Sequence, residues 1–241
     1  MLNIDSRDQE LILPFNVKVV LLNGPPGSGK DTIANKMSMY VGNNYQFFHY
    51  KFSTLLKTQV LCDYGFYPID YWLDYFEDRK HKEEPRVEFD GKSFREMVID
   101  KSENKIKPIL GKDFYGRYLA RKITIDFTIS APFSPLVAIS DSGFLEESLP
   151  MIKTFGAENM LLARIRAEER GVSYKGDSRS YLKLDIPTID IDNNRIIEID
   201  SDFYWYERCQ LIFEALEKMD VRNHLTGPVK SKIESAAEKH Y

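Results

Sequence analysis

Seven consecutive residues carry the clearest chemistry in this chain. Gly24-Pro25-Pro26-Gly27-Ser28-Gly29-Lys30 fits the spacing G-x-x-x-x-G-K. Glycines at these positions let the backbone curl so that successive N–H groups point inward at phosphate oxygens. Lys30 adds a point charge for the β- and γ-phosphates. A helix that follows such a loop aims its positive end at the same anion. The residues expected to hold a nucleoside triphosphate are therefore Gly24, Gly27, Ser28, Gly29, Lys30, Asp31 and Thr32. The residue after the lysine is usually Ser or Thr and holds Mg²⁺. Here Asp31 stands in that place and Thr32 follows. Either Asp31 reaches the ion directly or through water, or it faces the phosphoryl acceptor and leaves the metal to water and phosphates. The second reading is favoured.

A second acid, Asp141, follows the apolar run Leu136–Ile139 and stands where the chain leaves that run. An acid in this place orients Mg²⁺ through water or contacts the acceptor, so Thr32 and Asp141 are the expected metal contacts. If the acceptor is a hydroxyl, Asp141 or Asp31 could take its proton; a phosphate acceptor is already ionised and needs no base. The competing reading of Asp141 is a turn or helix-cap residue. Arg164, Arg166, Arg170 and Arg179 lie in or beside residues 164–185. Arginine forks suit a transferring phosphoryl group. Arg166 and Arg170, four apart, would share one helical face and are catalytic candidates in a short lid; the competing reading is a solvated loop. Arg95, Arg117 and Arg121 stand in a locally basic stretch and are the candidates for binding the acceptor, against the competing reading of a solvated helix surface. Tyr50, Phe52, Tyr71, Trp72, Tyr75 and Phe76 could stack on a base or fill a core. His49 and His81 carry no spacing signal.

These residues need elements to position them. Val17–Leu22 is a continuous β-branched and apolar run, which reads as a strand buried on both faces. Asp31–Val41 has helical spacing. Phe47–Phe52 reads as a second strand, and Ser53–Tyr64 as a helix capped by Ser53. Residues 65–92 are rich in aromatics and charge and read as a partly helical excursion. Ser93–Lys101 and Asp113–Ile125 are helical, and residues 65–125 together form an inserted acceptor-side region. Pro132 and Pro135 break the chain before the strand Leu136–Ile139. Glu146–Phe155 is a helix, Asn159–Ile165 a strand, residues 166–185 a lid, Arg195–Ile199 the last strand and Trp205–Met219 the closing helix. Residues 1–16 are an arm or leader, and the polar stretch from Arg222 is expected to be a mobile tail. Alternating strands and helices imply one α/β domain over residues 1–241, with a mostly parallel sheet, helices on both faces, and loops after Leu22, Ile139 and Ile165 opening toward one site.

Bulk composition narrows the partners. The 241 residues hold 33 Lys and Arg against 37 Asp and Glu, a formal net charge of −4, which argues against nucleic-acid binding through overall charge. Cys62 and Cys209 are far apart, match no metal-ligand spacing and read as thiols of a reducing compartment. No apolar run reaches the roughly 20 residues of a membrane span, and the polar N-terminus is not a signal peptide, so a cytoplasmic location is expected.

Gly29-Lys30-Asp31-Thr32 after such a loop resembles the deoxynucleoside monophosphate kinases of bacteriophages, within the wider group of nucleoside and nucleotide kinases. The likeness is strong over residues 17–37. It is looser but collinear to about residue 216, where Lys51–Leu56, Gly111-Lys112-Asp113 and the strand ending at Asp141 fit it. It implies a P-loop kinase fold, Mg²⁺-ATP, transfer of the γ-phosphoryl group to a nucleotide and a place in the host cytoplasm. Asp141-Ser142-Gly143-Phe144 departs from the pattern, because several relatives carry an arginine just after the acid. A related phage group, the 5-hydroxymethyluridine DNA kinases, phosphorylates a hydroxyl on a modified base within DNA. Acidic charge and compact size favour a free nucleotide as acceptor; the missing arginine favours DNA. A nucleotide-dependent switch is the third reading, and the guanine-reading N-K-x-D motif is absent.

Overall fold

The computed structural model describes residues 17–41, 45–128, 134–175, 179–194 and 202–225. Strand β1 (Lys18–Asn23) is buried at every residue. The glycine loop leads from it into helix α1 (Lys30–Tyr40). Strand β2 (Tyr45–Tyr50) starts and ends two residues earlier than the aromatic run suggests. Its end is set from across the sheet, because the Phe52 N–H is held by Asp141 rather than by a strand neighbour. Helix α2 (Thr54–Asp63) follows.

The excursion is helical. Helices α3 (Ile69–Tyr75) and α4 (Arg79–Glu83) lead to α5 (Phe94–Asp100), which opens with a capping box between Ser93 and Glu96. A wide helical turn over Lys101–Ile106 runs into α6 (Lys107–Leu110), and α7 (Phe114–Thr128) returns the chain to the sheet. Strand β3 (Ser134–Ser142) includes Pro135, which the sequence reading places as a breaker. Pro135 lies opposite Gln46 of β2, while pairing with β1 begins only at Leu136, so the missing N–H interrupts no β1 ladder. Helix α8 (Leu145–Phe155), strand β4 (Met160–Arg166), strand β5 (Thr188–Asp192) and helix α9 (Asp202–Leu225) complete the described chain.

The last described strand is β5, with Ile189 and Ile191 alternating with acids at a sheet edge; the expected strand Arg195–Ile199 lies outside the described residues. Helix α9 reaches Leu225, so the chain from Arg222 to that point is helix, not tail; residues 226–241, like the arm at 1–16 and Pro132, lie outside the described residues. Among its described residues, the segment after β4 carries one tight turn, at Glu168–Arg170.

Among the described residues, five strands form one sheet in the order β2-β3-β1-β4-β5, every pair parallel. Alternate residues feed two cores. Val19, Leu21, Val137, Ile139 and Leu162 pack with Tyr115, Leu119 and Ile123 of α7 and Met151 of α8. Val20, Leu22, Leu136, Ala138 and Leu161 pack with Ile33 and Met37 of α1 and Ile212 and Leu216 of α9. Cys209 is buried in this second core, its Sγ 3.9 Å from the Ile33 carbonyl, whereas Cys62 is exposed. The excursion builds a third core from Phe66, Phe76, Phe89 and Phe94 against Val60 and Leu61 of α2. No helix of the described residues is long and apolar enough to cross a membrane.

Candidate active site

The chain turns through residues 24–29 between β1 and α1. Gly27 and Gly29 have φ of 82° and 96°, a region that glycine enters without strain. Gly24 answers a different need: a Cβ there would stand 2.6 Å from Ser28 Oγ and 2.8 Å from the Ile165 carbonyl oxygen. The Lys30 side chain is buried and curls back, its Nζ donating to the carbonyls of Gly24 at 2.6 Å and Pro25 at 2.7 Å. This is a P-loop.

Its strap comes from far along the chain. Buried Asn193, just after β5, donates from Nδ2 to the Ser28 carbonyl at 2.7 Å and accepts from the Tyr204 hydroxyl of α9 at 2.5 Å. A Cβ on Gly29 would stand 2.7 Å from that Nδ2, so the third glycine of the loop makes room for the strap. A lone Asn in a polar stretch has no spacing signature, and the sequence reading passes over it.

A cavity of about 350 Å³ opens beside the P-loop, with Pro26, Gly27, Lys30 and Asp31 on one wall. The Asp31 carboxylate accepts from the Ser140 hydroxyl at 2.6 Å and pairs with Lys51 Nζ at 3.0 Å. Burial pushes this carboxyl up, but Lys51 and the Ser140 hydrogen bond outweigh it and hold it below its usual range. Ser140 has one proton and spends it on Asp31, so His49 Nε2, 2.7 Å from the same oxygen, donates to Ser140. His49, silent in the sequence, thus orients the acid of the P-loop helix. Lys51 also meets Glu77 at 2.7 Å, and Lys57 meets Glu77 at 2.5 Å. Burial opposes ionisation of Glu77, yet Lys57 and Lys51 pull its carboxyl down to about 2. Lys82, half-buried on the same wall, is pushed down to about 8 by desolvation and by the charge of Lys57.

Lys30, Asp31, Asp141 and Arg95 line this one cavity together with Gly27. Asp141 takes the capping role of the competing reading, but for a helix far away in the chain. Its Oδ1 accepts the Phe52 N–H at 2.8 Å and its Oδ2 the Ser53 N–H at 2.9 Å. An acid at the end of β3 therefore caps α2, and Ser53 makes no side-chain cap of its own. Thr32 is exposed on the first turn of α1. Arg117 and Arg121 share the outer, solvent face of α7 and do not line the cavity; Arg117 pairs with Asp113 and donates to the Leu110 carbonyl at 2.7 Å. The shared helical face expected for Arg166 and Arg170 does not form, because β4 extends to Arg166. Arg166 bonds Asp190 at 2.9 Å and lies over the Tyr181 ring, while Arg170 donates to the Asn193 carbonyl at 3.3 Å. Neither lines the cavity. Arg179 does, and it packs where Gly143 has no side chain: a Cβ there would stand 2.5 Å from Arg179 Cδ. Of the six aromatics considered for stacking, Phe52 alone lines the cavity, while Phe76 is buried in the excursion core.

The cavity also takes Tyr115 from α7 and Glu147 from α8, both almost fully buried. These helices touch at Gly116, where a Cβ would overlap the Glu147 backbone carbonyl. Burial, together with the charge of Asp141, pushes the Glu147 carboxyl up to about 8, with Lys107 acting in the opposite direction.

No protein-family model matches the chain, and no curated protein matches it. Among solved structures, an APS kinase from Mycobacterium tuberculosis is similar over 85% of this chain and 99% of its own, at 14% identity and a TM-score of 0.44. A gluconokinase from Sinorhizobium meliloti is similar over 88% of this chain and 98% of its own, at 10% identity and a TM-score of 0.44. Likeness at this level says nothing about substrate, and the chemistry is read from the site itself.

Proposed function

We propose that the chain is an ATP-dependent kinase that transfers the γ-phosphoryl group to a deoxynucleoside monophosphate. The observation that carries this reading is the junction of P-loop and cavity, since Lys30 and Asp31 belong to both. The P-loop amides and Lys30 hold the triphosphate. The cavity beside it takes an acceptor that is itself anionic, because Lys51, Lys57, Lys82 and Arg95 stand on its walls. Glu77 holds Lys51 and Lys57 in place, so little side-chain freedom is lost when phosphate arrives. A phosphate acceptor needs no base, and in-line transfer then depends on positioning and on cations around the moving group. Arg179 supplies one more such cation from the segment after β4.

The residues present fit Mg²⁺, which keeps most of its water and takes only one or two protein oxygens beside the phosphates. The Thr32 hydroxyl, exposed on the first turn of α1, and the Asp31 carboxylate on the cavity wall are the oxygens that would hold it. Mg²⁺ held there would supply positive charge to the phosphates of the triphosphate. Asp141 acts here by positioning the turn that carries Lys51 and Phe52.

A second reading, a kinase for a hydroxyl on a modified base in DNA, is favoured by one observation. Asp31 is an ionised carboxylate on the cavity wall, able to take a hydroxyl proton. The test uses γ-labelled ATP and Mg²⁺ with two acceptor pools: the deoxynucleoside monophosphates, and DNA with and without 5-hydroxymethyluracil. Label in a nucleoside diphosphate is the expected result. Label on the modified DNA alone would replace the first reading with the second. Lys30→Ala should abolish transfer in either case, and wild-type turnover in that variant would sink both.

A further inference from the structure

We propose that Tyr115 and Glu147 form the part of the cavity that reads the acceptor's base, hydrogen-bonding the polar edge of a nucleobase. This rests on the reading of the cavity as the acceptor site. Tyr115 is 2% exposed and lines the cavity, yet its hydroxyl oxygen is buried with no hydrogen-bond partner among the described residues. Buried hydroxyls in folded proteins are nearly always satisfied, so an orphan on a side chain that lines a cavity marks a place where a ligand completes the bond. Burial and the neighbouring carboxyls Glu147 and Glu103 keep this phenol protonated, so it can donate.

Glu147 is 6% exposed and lines the same cavity. Its nearest cation, Lys107, stands 3.9 Å away, beyond hydrogen-bond range, because Lys107 is held by Glu103 at 2.8 Å and lies over the Phe144 ring. The groups around the carboxyl are Asp141, Glu103 and Glu146 against that single lysine, which favours a neutral acid that both donates and accepts. Gly116 fixes the spacing of the pair, since the approach of α7 to α8 at that glycine carries Tyr115 and Glu147 together. A donor–acceptor pair beside the Phe144 ring matches the edge and face of a base. Lys51, Lys57, Lys82 and Arg95 line the same cavity and would meet its phosphate.

The experiment is direct binding by equilibrium titration, using the four deoxynucleoside monophosphates and deoxyribose 5-phosphate, which has no base. Wild type, Tyr115→Phe, Glu147→Gln and Glu147→Leu are compared, each with its thermal midpoint and its affinity for ATP. Tyr115→Phe should weaken at least one nucleotide about tenfold, the loss of one hydrogen bond, and leave deoxyribose 5-phosphate and ATP unchanged. Its thermal midpoint should stay level or rise, because the hydroxyl has no partner to lose. Glu147→Leu should weaken the same nucleotide, and Glu147→Gln, which keeps a donor and an acceptor, should restore most of the affinity. Wild-type affinities in Tyr115→Phe and Glu147→Leu, equal weakening of the baseless phosphate, or a wild type that binds no nucleotide would each overturn the proposal. Nucleotide binding that the variants weaken, without any phosphoryl transfer, would keep it and remove the kinase reading instead.

Discussion

Glu147 shows how a single buried acid ties stability to pH. Its carboxyl sits near 8 in the folded chain and near 4.5 when free of the fold. The folded state therefore holds the proton more tightly, so the contribution to stability is fully present below pH 4.5 and is lost as pH rises through about 8. Glu147→Gln removes this dependence. Wild type should lose stability relative to the variant, on the order of a few kcal/mol, between those two values. Urea titrations at pH 4.5, 6.5 and 8.5 measure it, and parallel curves for the two proteins would show that the carboxyl ionises without strain. Glu77 has the opposite sign: its contribution is present above 4.5 and disappears only as pH falls through about 2, with solvent damping it because the side chain is 40% exposed. Legibility at this scale follows spacing. The P-loop can be read because glycine and lysine recur at fixed intervals for a geometric reason. His49 and Asn193 cannot, because each acts through a partner distant in the chain, and Tyr115 and Glu147 cannot, because only the fold brings them to one cavity. Arg117 and Arg121 illustrate the reverse error, since a four-residue interval says that two side chains share a helix face but not that the face looks into the site.

Helices and strands place these side chains, and the closest fit between two of them is α7 against α8. The atom that an added Cβ would meet at Gly116 is backbone, which cannot rotate away. Gly116→Ala should therefore push the two helices apart and destabilise the fold by about 1–3 kcal/mol, against the small gain that Ala brings to an open helix position. A denaturation midpoint equal to wild type would mean that the helices have slack at the crossing. Element types were legible in the three central strands, because Val17–Leu22, Leu136–Ile139 and Asn159–Ile165 are apolar runs that only a doubly covered strand would tolerate. Ends were less so. The stop of β2 at Tyr50 depends on a carboxylate that reaches back 88 and 89 residues to Ser53 and Phe52, and β5 is a short edge strand whose alternating acids resemble a loop.

The molecule as a whole is two sheet cores and a satellite. Helix α2 joins them, with Leu56 in the core beside α7 and Val60 and Leu61 in the aromatic core of the excursion. The cavity sits where these bodies meet: Lys82 and Arg95 reach it from the excursion, Lys51 and Lys57 from the turn after β2 and from α2, and the P-loop from the sheet. On the other side of the sheet, α1 and α9 close over Cys209, whose thiol burial pushes up to about 12. The thiolate is the reactive form, so this cysteine is shielded twice, by access and by protonation. The P-loop helix is one of the two doors that must move to expose it. The protein thus carries its own occupancy gauge. Alkylation of exposed Cys62 should proceed at the same rate with or without nucleotide, while ATP at a hundred times its dissociation constant should slow the labelling of Cys209 about a hundredfold, because only the closed state binds. Mass spectrometry of the two peptides gives both rates from one sample. A Cys209 rate indifferent to ATP would mean that α9 swings away alone and leaves the phosphate cradle standing.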